Sequence, residues 1–405
     1  MTRSAYLLLI AVIASACRGD SPETSDASTT SSTGIASITS QTGGSTGVPT
    51  STSTGTSSVT TVWPTTEWED GDTFDPNDCG YGLVHKPSVM LVLDKSGSMV
   101  ADPDGFWDHD QDPNTPVVTR WSSLHSVVSE LTVGSNAVLD LGLVLFPANA
   151  ATAKFDETAC IVDAEPVVSI AEMNAANIVD ALPDALADAK TMQGATPATR
   201  GLEVAIQAFA GVPAEQPMAM ILVTDGVANC RAGAVDEQTL LEMYDDGVEA
   251  MVAAAAVMGI KTYVVGIGIA KENAVSGAEV DGVPDNVDTY EKLNALALAG
   301  GAAREGDEKF YGATDQLGLV AALEAISLEL SCTITLTPTP KYPEYVEIEP
   351  YGNQHVEDCA TEDGWTFLPQ IESNEPLRIA LCGKACLDYR MSGVIDIKHG
   401  CAHDE

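Results

Sequence analysis

Residues 89–98, VMLVLDKSGS, decide how the chain is read. The short apolar run Val89–Leu93 has the character of a strand buried on both faces. Asp94 ends the run, and Ser96 and Ser98 follow on a tight turn, where Gly97 would spare the backbone a Cβ clash. A turn at the carboxyl end of a strand can aim one carboxylate and two hydroxyls into a single crevice, where ligands of open α/β sheets bind. Hard divalent cations take such oxygen donors in near-octahedral array. Asp-x-Ser-x-Ser is a weak pattern by itself, because Ser and Asp also serve as helix caps and turn residues.

Two further pieces stand downstream in order. Thr196, in Gly194-Ala195-Thr196-Pro197, precedes a helical pattern and offers a hydroxyl. Asp225, in Thr224-Asp225-Gly226, ends the apolar run MAMILVT and offers a second carboxylate. Together Asp94, Ser96, Ser98, Thr196 and Asp225 resemble the metal-ion-dependent adhesion site of the von Willebrand factor A family, with all five positions filled. The resemblance spans residues 79–331 and implies an α/β fold with a doubly wound, mostly parallel sheet. It also implies that Ser96, Ser98 and Thr196 coordinate a cation directly or nearly so, while Asp94 and Asp225 act directly or through water. The open position would take a carboxylate from a protein or glycan partner. Mg²⁺ suits the small hydroxyl-rich set, with Mn²⁺ or Ca²⁺ as alternatives.

The surrounding pattern agrees with that fold class. Apolar runs at 137–146, 218–225 and 262–269, with a weaker one at 309–314, alternate with helical periodicities at 121–131, 175–189, 197–211, 237–259, 290–300 and 315–330. Strands alternating with helices describe a largely parallel sheet. From Cys332 onward the segments are short, strand-like and punctuated by Pro and Gly, which reads as a small all-β module stapled by disulfides over 332–405.

Between the Ser98 turn and the first helix lies ADPDGFWDHDQDPNTPVVTR (101–120). Asp102, Asp104, Asp108, Asp110 and Asp112 alternate there as carboxylates do in loops that wrap Ca²⁺, yet the Gly and Glu placements of an EF-hand are missing. A solvated acidic loop, a second cation site and a partner-recognition rim all fit this stretch.

Residues 1–16 combine Arg3 with an apolar run, the pattern of a secretory signal too short to span a bilayer. Ala14-Ser15-Ala16-Cys17 resembles a bacterial lipobox, departing from it at Ala14, and implies lipidation of Cys17. The alternative is an ordinary cleaved signal with Cys17 incidental. Residues 17–78 are mostly Ser and Thr in their first part and cannot bury enough apolar surface to order themselves. A flexible tether of about 60 residues reaches roughly 40 Å.

Nine cysteines less Cys17 leave eight, an even number that implies four disulfides in an exported chain. Cys160 and Cys230 both fall in loops at the metal-bearing end and make one candidate pair. Cys79 and Cys332 bracket the α/β region, and the family resemblance implies a second pair there.

With 19 Lys+Arg against 59 Asp+Glu, the formal charge of −40 excludes a phosphate-binding basic stripe, and with it nucleic acid as a partner. There is no GxSxG elbow, HExxH or phosphate-binding loop, and Gly266-Ile267-Gly268 lacks the rest of a dinucleotide fingerprint. No catalytic residue can be named, so a non-enzymatic role is expected. The reading is a surface lipoprotein in the cell envelope, attached to the membrane through its lipid alone, that binds a partner through a metal ion. Its competitors are a scaffold in an envelope assembly and a metal-dependent accessory protein.

Overall fold

A computed structural model describes residues 80–100, 118–151, 156–269, 280–340, 342–370 and 376–399. The signal and tether regions, Cys17, Cys79, Cys401 and the acidic stretch with Asp102, Asp104, Asp108, Asp110 and Asp112 lie outside the described residues. The first part of the chain runs β1 (Gly80–Tyr81), β2 (Ser88–Asp94), α1 (Arg120–Ser135), β3 (Asp140–Phe146), β4 (Val168–Ala171), α2 (Ala175–Ala181) and α3 (Ala198–Ala208). There follow β5 (Met218–Thr224), α4 (Glu237–Leu241), α5 (Gly247–Val257), β6 (Ile260–Ile267), α6 (Thr289–Ala299), β7 (Tyr311–Ala313) and α7 (Gln316–Cys332). The last elements are β8 (Thr333–Thr335), β9 (Glu347–Glu349), β10 (Gly364–Phe367), β11 (Arg378–Cys382), α8 (Lys384–Ser392) and β12 (Asp396–His399).

Six strands form one sheet in the order β4-β3-β2-β5-β6-β7, all parallel except β4, which runs antiparallel to β3. Every residue of β2 is buried, because helices cover both faces of the sheet. The alternation of a strand then divides its side chains between two cores. Val89, Leu91 and Leu93 join a core with Trp121 and Leu124 of α1 and Leu323 and Ile326 of α7. Met90 and Val92 join the opposite core with Leu202 of α3, Val252 of α5 and Leu296 of α6. The sequence is therefore a doubly wound α/β sheet, as its buried runs predict.

Three details depart from the periodicity. The pattern at 175–189 ends as a helix at Ala181, since Pro183 has no N–H to continue it. The pattern at 237–259 is two helices, α4 and α5, separated by a stretch containing Asp245-Asp246. The C-terminal residues form the antiparallel sheet β10-β11-β8 and, with β1 from the start of the α/β region, the sheet β1-β12-β9, but they also contain the helix α8.

That helix corrects one disulfide. Cys332 bonds to Cys386 of α8, not to Cys79, because α8 packs along the end of α7 and brings the two Cα atoms to 5.3 Å. Cys359 bonds to Cys382 within the same C-terminal region, and Cys160 bonds to Cys230 at the carboxyl end of the large sheet. No helix among the described residues is long and apolar enough to cross a membrane.

Candidate metal centre

The chain winds from β2 to β3 on one side of the sheet, and β5 takes the place beside β2 on the other. At such a switch point the carboxyl ends of two neighbouring strands open into a crevice. Asp94 is the last residue of β2 and Asp225 follows the last residue of β5, so the topology brings both carboxylates to one place.

Asp94 is fully buried. Its Oδ1 accepts a hydrogen bond from the Ser96 N–H at 2.8 Å, and its Oδ2 accepts one from the Thr224 hydroxyl at 2.7 Å. Burial, and next the negative charge of Asp225, push its pKa up to about 7, against the opposing pull of those donors. Ser96 stands at the N-cap of a 3₁₀ turn, Gly97–Met99, yet its side chain makes no capping hydrogen bond. The Ser96 and Ser98 hydroxyls instead lie 2.8 Å apart, and Ser98 Oγ donates to Asp225 Oδ1 at 2.8 Å. Capping therefore does not account for this pair of serines. Gly97 has a negative φ, so the turn does not rest on a left-handed glycine.

Thr196 reaches the same cleft from the loop before α3, whose N-cap is Pro197. Two features that periodicity does not reveal hold this loop. Gly194 has φ +112°, and a Cβ there would come within 2.5 Å of Pro147 Cγ. Its carbonyl accepts from the Gly97 N–H at 3.1 Å, tying the loop to the serine turn. Asn229, fully buried, accepts from the Thr196 N–H at 2.8 Å and donates to the carbonyls of Leu241 and Gly282. Its own N–H donates to the Thr196 carbonyl at 3.1 Å, so the Asn229 backbone and side chain grip Thr196 from both sides. The Cys160–Cys230 disulfide lies directly beneath, where Ala159, Ala195, Cys230 and Leu241 form a small apolar cluster. Asn229→Ala leaves the buried Thr196 N–H without its partner and is expected to cost about 2 kcal/mol of stability. Urea denaturation measures this, and an unchanged midpoint would show that the loop is held without Asn229.

Arg120, the first residue of α1, is the other component the sequence does not signal. Its Nη1 donates to Asp225 Oδ2 at 2.8 Å, across 105 positions of chain. The resulting cleft, about 340 Å³ in volume, is lined by Ser96, Ser98, Thr196, Asp225 and Arg120, with Asp281, Gly282 and Val283 across it. Asp94 lies behind this lining. Among the described residues no three His, Cys, Asp or Glu side chains converge, and the candidate donors at this place are two carboxylates and three hydroxyls.

No model of a known protein family and no curated protein matches the chain. Among solved structures it is similar to the conserved hypothetical protein BatB from Bacteroides thetaiotaomicron, at 19% identity and TM-score 0.37 over 60% of this chain and 97% of that one. It is also similar to the pilus adhesin SpaC from Lactobacillus rhamnosus GG, at 14% identity and TM-score 0.44 over 78% of this chain and 39% of that one. A third is the PilB minor pilin from Streptococcus sanguinis, at 17% identity and TM-score 0.37 over 61% of this chain and 62% of that one. The chain thus spans well under half of SpaC and less than two thirds of PilB. Likenesses of this strength leave the function to be drawn from the cleft itself.

Proposed function

We propose that the protein is an exported envelope lipoprotein that grips a protein or glycan partner through a divalent cation held in this cleft. The observation that carries the reading is the chain of hydroxyls and carboxylate from Ser96 through Ser98 to Asp225, at the switch point of a doubly wound sheet. These oxygens are not spent on capping, and all five candidate ligands are hard donors. Ser96, Ser98 and Thr196 would hold Mg²⁺ or Mn²⁺, with Asp94 and Asp225 supplying the compensating charge. When bound, the cation would supply a Lewis-acidic position able to accept a carboxylate from the partner. The chain's part is to fix the donors, through Asn229 on one side and the Ser96–Ser98 turn on the other. The acidic stretch from Asp102 to Asp112 stays in the proposal as a second, Ca²⁺-binding loop.

Export is supported by the signal pattern of residues 1–16 and by three disulfides among the described residues, since such bonds persist in oxidising compartments. Anchoring through Cys17 and a role in binding, not catalysis, complete the proposal. The test is a pull-down from envelope material with the wild type and with Ser96→Ala/Ser98→Ala. The wild type is expected to retain a partner that EDTA releases and Mg²⁺ restores, while the double variant retains none. Retention that ignores both EDTA and the substitutions would refute a metal-bridged contact.

A further inference from the structure

We propose that Arg120 is an internal competitor of the divalent cation, holding the Asp225 carboxylate and thereby setting how tightly the cleft binds metal. The inference rests on the metal-binding reading above and adds a residue outside its ligand set.

Both oxygens of Asp225 are engaged, Oδ1 by the Ser98 hydroxyl and Oδ2 by Arg120 Nη1, each at 2.8 Å. The pair is nearly dry, with side-chain exposures of 1% for Asp225 and 16% for Arg120. In such surroundings an ion pair is screened far less than at the surface, and removing one partner strands the other charge. A cation that draws on Asp225 therefore shares that carboxylate's charge with Arg120, and it also meets the repulsion of a fixed positive charge.

The placement of the guanidinium is built, not incidental. It starts from α1, reaches Asp225 beyond β5, and lies against Gly268 in the turn after β6. A Cβ at position 268 would stand 3.2 Å from Arg120 Nη2 and 3.3 Å from Nε. Gly268 also has φ +64°, a conformation that side-chain-bearing residues rarely adopt. In the Gly266-Ile267-Gly268 stretch, which lacks a nucleotide-binding context, Gly268 thus has a local purpose as the bed for this side chain. Arg120 Nε is buried and has no hydrogen-bond partner among the described residues, so the carboxylate is the anchor that holds the group in place.

Charge arithmetic gives the consequence. Asp94, Asp225 and Asp281 with one divalent cation sum to a single negative charge, and Arg120 cancels it, leaving the loaded cleft one unit more positive than it would be without the arginine. A cleft with that added charge holds its metal less tightly and attracts a carboxylate more strongly than one without the arginine.

The test is calorimetric titration of the full chain with Mn²⁺, for wild type, Arg120→Gln and Arg120→Lys. Arg120→Gln is expected to bind Mn²⁺ about tenfold more tightly, and Arg120→Lys, which keeps the charge, within about threefold of wild type. Equal or weaker binding by Arg120→Gln, with wild type binding normally, overturns the competitor role and leaves the metal site standing. No Mn²⁺ uptake by any of the three removes the metal reading itself. Should Arg120→Gln fail to fold, the wild type still decides: ¹⁵N spectra must show the Arg120 Nε–H signal moving when Mg²⁺ is added. A signal that stays fixed while calorimetry records binding overturns the proposal.

Discussion

Asp94→Asn is expected to raise the thermal stability of the protein in EDTA near neutral pH and to abolish the stabilisation by Mg²⁺ that is expected of the wild type. Asp94 is buried and keeps its proton up to about pH 7, whereas in the unfolded chain it titrates at an ordinary aspartate's 3.8. Between those values the folded chain holds a proton that the unfolded chain releases. This group's contribution is therefore fully present below pH 4 and is lost as pH rises through 7. Holding the ionised form without a cation therefore costs stability above that range. Asparagine has the shape of the protonated acid and cannot ionise, so its advantage should appear about pH 7.5 and vanish near pH 4. A divalent cation reverses the ranking, because it favours the carboxylate and stabilises only the form that binds it. Differential scanning calorimetry at both pH values, with EDTA and with Mg²⁺, measures all four states. An Asn variant less stable than wild type in EDTA at neutral pH would show that the carboxylate is structural and owes nothing to a cation.

The parts of this fold legible in the sequence are those where burial is complete. β2, β3, β5 and β6 are covered by helices on both faces, and their sequences are mostly apolar for that reason. β4 escapes the same reading: it is a four-residue antiparallel edge with alternate residues exposed. α8 was hidden because its nine residues carry two glycine neighbours and a cysteine, which resemble the punctuation of short strands. In the cleft, the five candidate ligands are readable because each sits at a strand or helix end, where local spacing reveals it. Arg120 and Asn229 are not readable in this way. Their roles depend on partners 105 and 33 positions away, and only the sheet order brings those partners together.

Removing residues 332–405 is expected to unfold the α/β region, and Trp365→Ala in the full chain should cost about 3–5 kcal/mol. The core on the α1 and α7 face of the sheet does not stop at Cys332. It continues from Leu91, Trp121 and Leu330 into Ile334, Ile348, Trp365 and Tyr389 as one cluster. Trp365 is 1% exposed, meets Phe367 edge-on at 5.1 Å and donates its indole N–H to the Gly352 carbonyl at 3.0 Å. α8 is clamped to the helices beneath it by the Cys332–Cys386 bond and by Arg390, which donates to Glu324 at 2.6 Å and to Ser327 at 3.2 Å. Ser327 in turn shares a hydrogen bond with Ser135 of α1 at 2.8 Å, carrying the contact across to the helix that Arg120 begins. One shared core implies one cooperative unit, so calorimetry of the full chain should show a single unfolding transition. Breaking the Cys332–Cys386 bond by Cys→Ser substitution at both positions should lower its midpoint, by the equivalent of about 2–4 kcal/mol. If a fragment ending at Ser331 instead unfolds cooperatively at the full chain's temperature, the C-terminal sheets are an appendage. The candidate cleft would then stand on the α/β region alone.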